Sequence, residues 1–114
     1  MNAPQVQQLS AAVCVAPQLD PEAMAWAAQA GFKSVVNNRP DFEGGPDQPT
    51  SSAIEAAAKA AGLRYVHLPV QPAVQTPDEI ARFAALLDEL PKPILAFCRS
   101  GARSGKLYRA AIGG

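Results

Sequence analysis

Residues 93 to 104 read Pro-Ile-Leu-Ala-Phe-Cys-Arg-Ser-Gly-Ala-Arg-Ser, and this stretch predicts how the rest of the chain is organised. The apolar run from Ile94 to Phe97 is typical of a buried strand, and the segment from Ser104 to Ile112 has the pattern of a helix. The residues between them form a strand-to-helix turn. Backbone amides converge in such a turn, and the helix adds the positive end of its dipole. The stretch therefore predicts an anion-binding loop.

Cys98 is the candidate nucleophile of this loop. A lone cysteine after a buried strand is usually an inert core residue, but nearby arginines and a helix N-terminus favour the reactive thiolate. Gly101 permits a turn that a side chain would obstruct, and Arg103 has a planar fork suited to an oxyanion. We predict catalytic roles for Cys98, Arg103 and Ser104, with the Ser104 hydroxyl donating to the thiolate. The predicted substrate-binding residues of the loop are Arg99, Ser100, Gly101 and Ala102.

The loop from Cys98 to Ser104 resembles the active-site loop of rhodanese-type sulfurtransferases and is similar to the signature loop of cysteine-dependent phosphatases. Together with Phe32 to Pro40 and Ala60 to Val70, it resembles the bacterial phosphatase-like domain found alone or fused to metallo-β-lactamase-type hydrolases, a family often labelled as a sulfur transferase. The resemblance extends over nearly the whole chain, from Val6 onward. It implies a fold like that of dual-specificity phosphatases, not the rhodanese fold.

Two departures from the phosphatase pattern bear on the reaction. Phosphatase loops usually place five residues between the cysteine and the arginine, whereas Cys98 and Arg103 enclose only Arg99, Ser100, Gly101 and Ala102. Phosphatases also commonly carry an acidic residue after the preceding strand, and residues 71 to 75 contain none. Protonating a leaving group without a positioned acid loses roughly 10²–10⁴-fold in rate. Sulfur transfer to a thiolate needs no such acid.

We therefore predict a sulfurtransferase that takes sulfur from thiosulfate or a persulfide onto Cys98 and passes it to a thiol or cyanide. One alternative is a phosphatase of the tyrosine or dual-specificity type, which acts through a phosphocysteine. A second alternative is a noncatalytic anion-binding module. The expected ligand is a small anion: thiosulfate, a persulfide or a phosphate ester. The resemblance also implies a fused or partner metallo-β-lactamase-type hydrolase or persulfide oxygenase.

The loop from Asn38 to Pro49 is the second candidate part of the site. It follows the predicted strand Phe32 to Asn37, and α/β folds place their ligands at the carboxyl ends of parallel strands. Arg39 and Asp41 are therefore candidate substrate-binding residues, and Asp41 is also the best candidate for a displaced general acid in a phosphatase. The alternative is that Arg39 and Asp41 pair with each other on a solvated loop.

Alternating strands and helices predict an α/β domain of the cysteine-phosphatase type. Its central sheet is expected to be mainly parallel, with about four strands flanked by helices. The predicted strands are Ala11 to Ala16, Phe32 to Asn37, Leu63 to Val70 and Ile94 to Phe97. Helix starts are predicted from an N-cap at Asp20 and from capping boxes at Ser52 and Thr76, in addition to the helix from Ser104.

Length and composition limit the other functions. The 114 residues, of which 48% are hydrophobic, predict one domain over residues 1 to 114, either alone or as a module of a longer protein. A formal net charge of zero argues against nucleic acid and membrane surfaces as partners. With no signal-peptide pattern, no apolar stretch long enough to span a bilayer and only two cysteines, we expect a cytoplasmic protein. No metal and no cofactor are predicted, because His67 has no neighbouring ligand in the sequence.

Overall fold

A computed structural model describes residues 4–113 and shows a mixed sheet of five strands flanked by four helices. This confirms the predicted α/β class. The strands are β1 (Gln7–Gln8), β2 (Val13–Ala16), β3 (Ser34–Asn37), β4 (Arg64–His67) and β5 (Ile94–Phe97). The helices are α1 (Glu22–Gln29), α2 (Ser51–Ala60), α3 (Pro77–Glu89) and α4 (Ala102–Ala111).

The sheet has the strand order β1-β2-β5-β3-β4. Strands β2, β5, β3 and β4 run parallel, as predicted, and β1 is antiparallel to β2 at one edge. The prediction of about four strands missed β1, because Gln7 and Gln8 are polar and exposed and carry no apolar alternation. The carboxyl ends of the four parallel strands, and the loops that follow them, all lie at the same end of the sheet.

Strand β5 lies between β2 and β3, and all four of its residues are fully buried. Its side chains alternate between the two faces of the sheet. Leu95 and Phe97 pack in a core cluster with residues of α1 and α2, whereas Ile94 and Ala96 pack in a second cluster with α3 and α4. Both cores therefore fix the strand that ends directly before Cys98.

Several element boundaries differ from the sequence prediction. Helix α4 begins at Ala102, two residues before the predicted Ser104, because Gly101 adopts a left-handed conformation (φ 93°) directly before it. The predicted capping box at Ser52 is wrong: the Thr50 hydroxyl caps α2 by accepting from the Ala53 amide at 3.2 Å. The capping box of Thr76 and Glu79 at the start of α3 is confirmed.

Three strands are shorter than predicted. Strand β2 begins at Val13 instead of Ala11, β3 begins at Ser34 instead of Phe32, and β4 covers Arg64–His67 instead of Leu63 to Val70. After β4 the Leu68 amide donates to the Asn37 carbonyl at 2.8 Å and the Val70 amide to the Asn38 carbonyl at 3.1 Å, so hydrogen bonds to the segment after β3 continue beyond the end of the regular strand. None of the described helices has the length and apolarity needed to cross a bilayer.

Candidate active site

A cleft of about 840 Å³ opens at the carboxyl ends of the parallel strands. It is lined by the loops after β3, β4 and β5 and by the first turns of α4. The lining residues are Arg39, Glu43, Gly44, Gln71, Pro72, Cys98, Arg99, Ser100, Ala102, Arg103 and Lys106. The cleft thus combines the predicted nucleophile with four cationic side chains and a single carboxylate.

Cys98 lies at the base of the cleft and is 1% exposed. Its Sγ accepts a hydrogen bond from the Gly101 amide at 3.1 Å. The left-handed conformation of Gly101 turns this amide back toward the sulfur, and a Cβ at this position would lie 3.4 Å from the carbonyl group of Ala16. Gly101 therefore shapes the loop and also places a hydrogen-bond donor on the sulfur of the predicted nucleophile.

The loop also presents open backbone donors. The Ala102 amide is occupied by the Ser100 hydroxyl at 3.3 Å. By contrast, the amides of Arg99, Ser100, Arg103 and Ser104 have no acceptor among residues 4–113. Free amides at the start of a helix, together with the helix dipole, form an anion-binding site. The loop therefore has the polar groups that a tetrahedral oxyanion requires.

Arg103 is 7% exposed and is held by two acceptors. Its Nη1 donates to Glu43 Oε2 and to the Val70 carbonyl, both at 3.1 Å, and its Nη2 donates to Glu43 Oε1 at 3.1 Å. Its Nε is buried and has no acceptor among the described residues. An unsatisfied buried donor is costly and often marks the place of an ion or a ligand. The guanidinium is therefore fixed at one end and retains donor capacity at Nε.

Glu43 joins the two buried arginines of the cleft. Its Oε1 accepts from Arg39 Nε at 2.9 Å as well as from Arg103, and its side chain is 23% exposed. Burial acts to raise the pKa of Glu43, but the hydrogen bonds and charges of Arg103 and Arg39 outweigh it, and the pKa lies below its ordinary value. Glu43 is therefore an anion at neutral pH and serves as the internal partner of both guanidinium groups.

The structure separates the two residues predicted for the loop after β3. Arg39 lines the cleft, where it pairs with Glu43 and with Gln18 (Nη1 to Oε1, 3.0 Å), so the alternative in which Arg39 pairs with Asp41 is wrong. Asp41 does not line the cleft. Its Oδ1 accepts from the Ser51 amide at 2.8 Å, where a carboxylate satisfies an open donor at the start of α2. Its position is that of a helix cap.

Ser104 is placed differently from the sequence prediction. Its hydroxyl donates to Asn38 Oδ1 at 2.8 Å, and Asn38 Nδ2 donates to the Leu68 carbonyl at 3.0 Å. Both Ser104 and Asn38 are fully buried, so their polar atoms must be satisfied inside the protein. The hydroxyl proton is therefore committed to Asn38, and the predicted donation to the Cys98 thiolate is wrong. These two hydrogen bonds connect the first turn of α4 with the residues that directly follow β3 and β4.

Sequence reasoning missed Glu43 as a residue of the cleft. Glu43 lies four residues after Arg39, but this spacing implies contact only in a helix, and residues 38–49 carry the pattern of a loop. Its contact with Arg103 spans 60 residues of sequence. The available signal was chemical: two arginines of a site that are buried require a carboxylate nearby. Lys106, Gln71 and Pro72 were also not predicted to line the cleft.

Comparisons with known proteins identify the family of this chain. Residues 5–113 match the family model described as "Beta-lactamase hydrolase-like protein, phosphatase-like domain". A "Beta-lactamase hydrolase-like protein" of Agrobacterium fabrum is 40% identical over 78 residues, which cover 68% of this chain but only 18% of that protein. The chain thus matches less than a fifth of the length of this relative.

Solved structures show the same fold. A "putative phosphatase" from Neisseria meningitidis Z2491 has a TM-score of 0.84 and 32% identity, over 94% of this chain and 78% of that one. The core catalytic domain of the PP-IP phosphatase SIW14 from S. cerevisiae, at 15% identity and a TM-score of 0.71, covers 93% of this chain and 64% of its own and shares the fold. The comparisons favour the phosphatase alternative over the predicted sulfurtransferase. The resemblance noted in the sequence is confirmed: the chain belongs to the phosphatase-like domain family of beta-lactamase hydrolase-like proteins and has a cysteine-phosphatase fold.

Proposed function

We propose that this domain is a cysteine-dependent phosphatase that hydrolyses phosphate esters or anhydrides through a phosphocysteine at Cys98. One observation carries the proposal. Cys98 begins a loop with open amides and lines the same cleft as Arg103, whose buried Nε has no acceptor among the described residues. A phosphoryl group above the sulfur would supply the missing acceptors. Membership of a phosphatase-like family supports the same reaction.

The proposed reaction has two displacements. In the first, the Cys98 thiolate forms an S–P bond while the bond from phosphorus to the leaving oxygen breaks, and that oxygen takes the electron pair. In the second, water attacks phosphorus, the S–P bond breaks and the thiolate is restored, while orthophosphate and solvent take up the proton from water. The open amides and Arg103 stabilise the equatorial oxygens during both steps. The Gly101 amide stabilises the sulfur anion between them.

The test is the release of inorganic phosphate from p-nitrophenyl phosphate. We expect turnover by the natural protein and none above the blank for Cys98→Ser. Cys14→Ser is the matched control, because Cys14 is a free thiol on β2 whose pKa is raised by burial and which does not line the cleft. Acid quenching during turnover should show one phosphoryl group on Cys98 by mass. Equal turnover by Cys98→Ser would contradict the proposal.

A sulfurtransferase is the second candidate, and the short loop favours it. Only four residues separate Cys98 from Arg103, and the single carboxylate that lines the cleft is bound to two arginines. Incubation with thiosulfate followed by intact mass should then add one sulfur to Cys98, and a reducing thiol should remove it. A sulfur adduct without phosphate release would replace the phosphatase proposal. If neither phosphate release nor sulfur transfer is observed, and Cys98→Ser binds anions as tightly as the natural protein, the result would indicate the noncatalytic binding module.

We further propose that a metallo-β-lactamase-type hydrolase or persulfide oxygenase acts with this domain, as a fused region or a partner. The proposal is supported by the printed name of the Agrobacterium relative and by the share of that protein, 18%, that the match covers. Size-exclusion chromatography of this domain mixed with the rest of that relative tests a partner in trans. Elution as one complex is expected, and separate elution would contradict it.

A further inference from the structure

The cleft holds no carboxylic acid that can protonate a leaving group. The chain has ten Asp and Glu residues, all within the described part, and only Glu43 among them lines the cleft. Both oxygens of Glu43 accept from arginine, and these contacts hold its pKa below the ordinary value. The one histidine, His67, bonds through Nε2 to the Arg39 carbonyl at 2.9 Å and does not line the cleft.

The mouth of the cleft is cationic instead. Arg99 and Lys106 line it, are exposed, and have no ion-pair partner among residues 4–113, whereas Arg39 and Arg103 are bound to Glu43. Unpaired positive charges stabilise an oxygen that departs with a negative charge, without transferring a proton to it. The lining residues include no aromatic ring on which a phenyl group would stack. The surface around Cys98 therefore suits a leaving group that is an anion in its own right.

We propose that the substrates of this site are phosphoanhydrides and phosphate esters of acidic alcohols, whose leaving groups depart as stable anions that Arg99 and Lys106 stabilise. The proposal rests on the phosphatase function proposed above and names its substrate class. In the step concerned, the bond from phosphorus to the bridging oxygen breaks as the Cys98 sulfur bonds to phosphorus. The bridging oxygen keeps the electron pair and leaves without a proton.

The first experiment compares kcat/KM for tripolyphosphate, p-nitrophenyl phosphate and phosphotyrosine. A positioned acid contributes roughly 10²–10⁴-fold, so p-nitrophenyl phosphate should exceed phosphotyrosine by that factor when no acid acts. Tripolyphosphate should be cleaved at least as well as p-nitrophenyl phosphate. Equal rates for the two aryl phosphates, or a slow phosphotyrosine reaction that becomes slower still in Asp41→Asn, would overturn the proposal while the phosphatase function stands. No phosphate release from any of the three overturns both.

The second experiment tests the assigned cations. In Arg99→Ala and Lys106→Ala, we expect kcat/KM for tripolyphosphate to fall roughly tenfold, and that for p-nitrophenyl phosphate to fall less, because its leaving group carries a smaller charge. Lys33→Ala is the matched control. Lys33 is exposed and directly precedes β3, at the end of the sheet opposite to the cleft, so its removal should change neither rate. An equal fall for both substrates would overturn the assignment of Arg99 and Lys106 to the leaving group.

Discussion

The two loops that carry the arginines of the cleft are held in place by different interactions. The loop after β5 is fixed mainly by its backbone. The Cys98 amide donates to the Ala16 carbonyl at 3.4 Å, the Arg99 carbonyl accepts from the Gln18 amide at 3.1 Å, and Gly101 supplies the left-handed turn. The side chains of Arg99 and Ala102 are exposed, so substitutions there leave these backbone contacts in place.

The loop after β3 is fixed mainly by side chains. Gln48 donates to the Pro40 carbonyl at 2.9 Å and accepts from the Gly44 amide at 2.7 Å. Arg39 lies against Gly44, where a Cβ would come within 2.6 Å of Nη2. Asp41 ties the same loop to the start of α2. Each of these contacts depends on one side chain, so a single substitution can shift the loop.

The difference matters because Glu43, in the loop after β3, positions Arg103, the arginine proposed to act in catalysis. Arg103 lies in the first turn of α4, but its guanidinium is held by Glu43, 60 residues earlier in the chain. The nucleophile is therefore placed by local backbone geometry and its anion-binding partner by a long-range ion pair. Substitutions that remove only the backbone geometry or only the ion pair should therefore differ in how much they lower activity relative to stability.

The largest effect is expected for Glu43→Gln. The amide keeps the shape but loses the paired charge contacts, and a misplaced Arg103 should lower kcat/KM by about 10²-fold. Glu43 is partly exposed, so screening limits the loss of unfolding free energy to about 1 kcal/mol. Phosphate-release kinetics and urea denaturation measure the two effects. Glu55→Gln is the control, because Glu55 pairs with Lys59 on the surface at 3.4 Å; equal activities of the two variants would contradict the prediction.

The same variant has a predicted pH signature. The pKa of Glu43 is lower in the folded protein than its ordinary value of 4.5, so its charge stabilises the folded state above that pH, and this contribution is lost as the pH falls through the folded-state pKa. The natural protein should therefore be more stable than Glu43→Gln at pH 7, and the difference should shrink below about pH 4. A difference that does not depend on pH would indicate that packing, and not charge, holds the ion pair.

An intermediate effect is expected for Gly101→Ala, with Gly45→Ala as its counterpart in the other loop. The two glycines have φ values of 93° and 96°, so alanine should cost about 1–2 kcal/mol of unfolding free energy at either position. Only the Gly101 amide donates to the Cys98 sulfur. We therefore expect kcat/KM to fall roughly tenfold in Gly101→Ala and to stay unchanged in Gly45→Ala. Equal losses of activity would show that the two loops depend on backbone strain in the same way.

The smallest effect on activity is expected for Asp41→Ala. Its carboxylate accepts from the first amide of α2, so its loss should cost about 1 kcal/mol of unfolding free energy and leave kcat/KM unchanged. Asp47→Ala, in the same loop and exposed, should change neither quantity. Thermal denaturation and phosphate release measure both. A large fall in the activity of Asp41→Ala would restore Asp41 as a displaced general acid and would contradict the proposed substrate class.

The sequence predicted the nucleophile loop because its determinants are local. A buried apolar run, Cys98, Gly101 and the start of the following helix all lie within residues 93 to 104, so the loop needs no contact from a distant part of the chain to be recognised. The predicted turn at Gly101 is present, and the structure shows it to be left-handed; the parallel strand before Cys98 is present as well. The helix start was misplaced by two residues because the same glycine allows α4 to begin as soon as the turn ends.

The rest of the cleft was not predictable because its contacts join distant parts of the chain. Nothing near Glu43 in the sequence indicates that it lies against Arg103, and nothing near Ser104 indicates that its hydroxyl faces Asn38. Asp41 was the carboxylate predicted for this loop, whereas the structure places Glu43 in the cleft and Asp41 at the start of α2. The antiparallel strand β1 was missed for another reason: it consists of two polar residues at the sheet edge.

The central position of β5 has a consequence for how ligands are detected. Because this strand packs into both cores, the anion loop is expected to persist only while the whole domain is folded. An anion held by the loop would then oppose global unfolding and not merely a local opening. At a concentration of 100 times its Kd, a ligand that binds only the folded state adds about 2.7 kcal/mol to the unfolding free energy. The melting temperature is thus a direct gauge of occupancy, and competing anions can be ranked by it without any turnover.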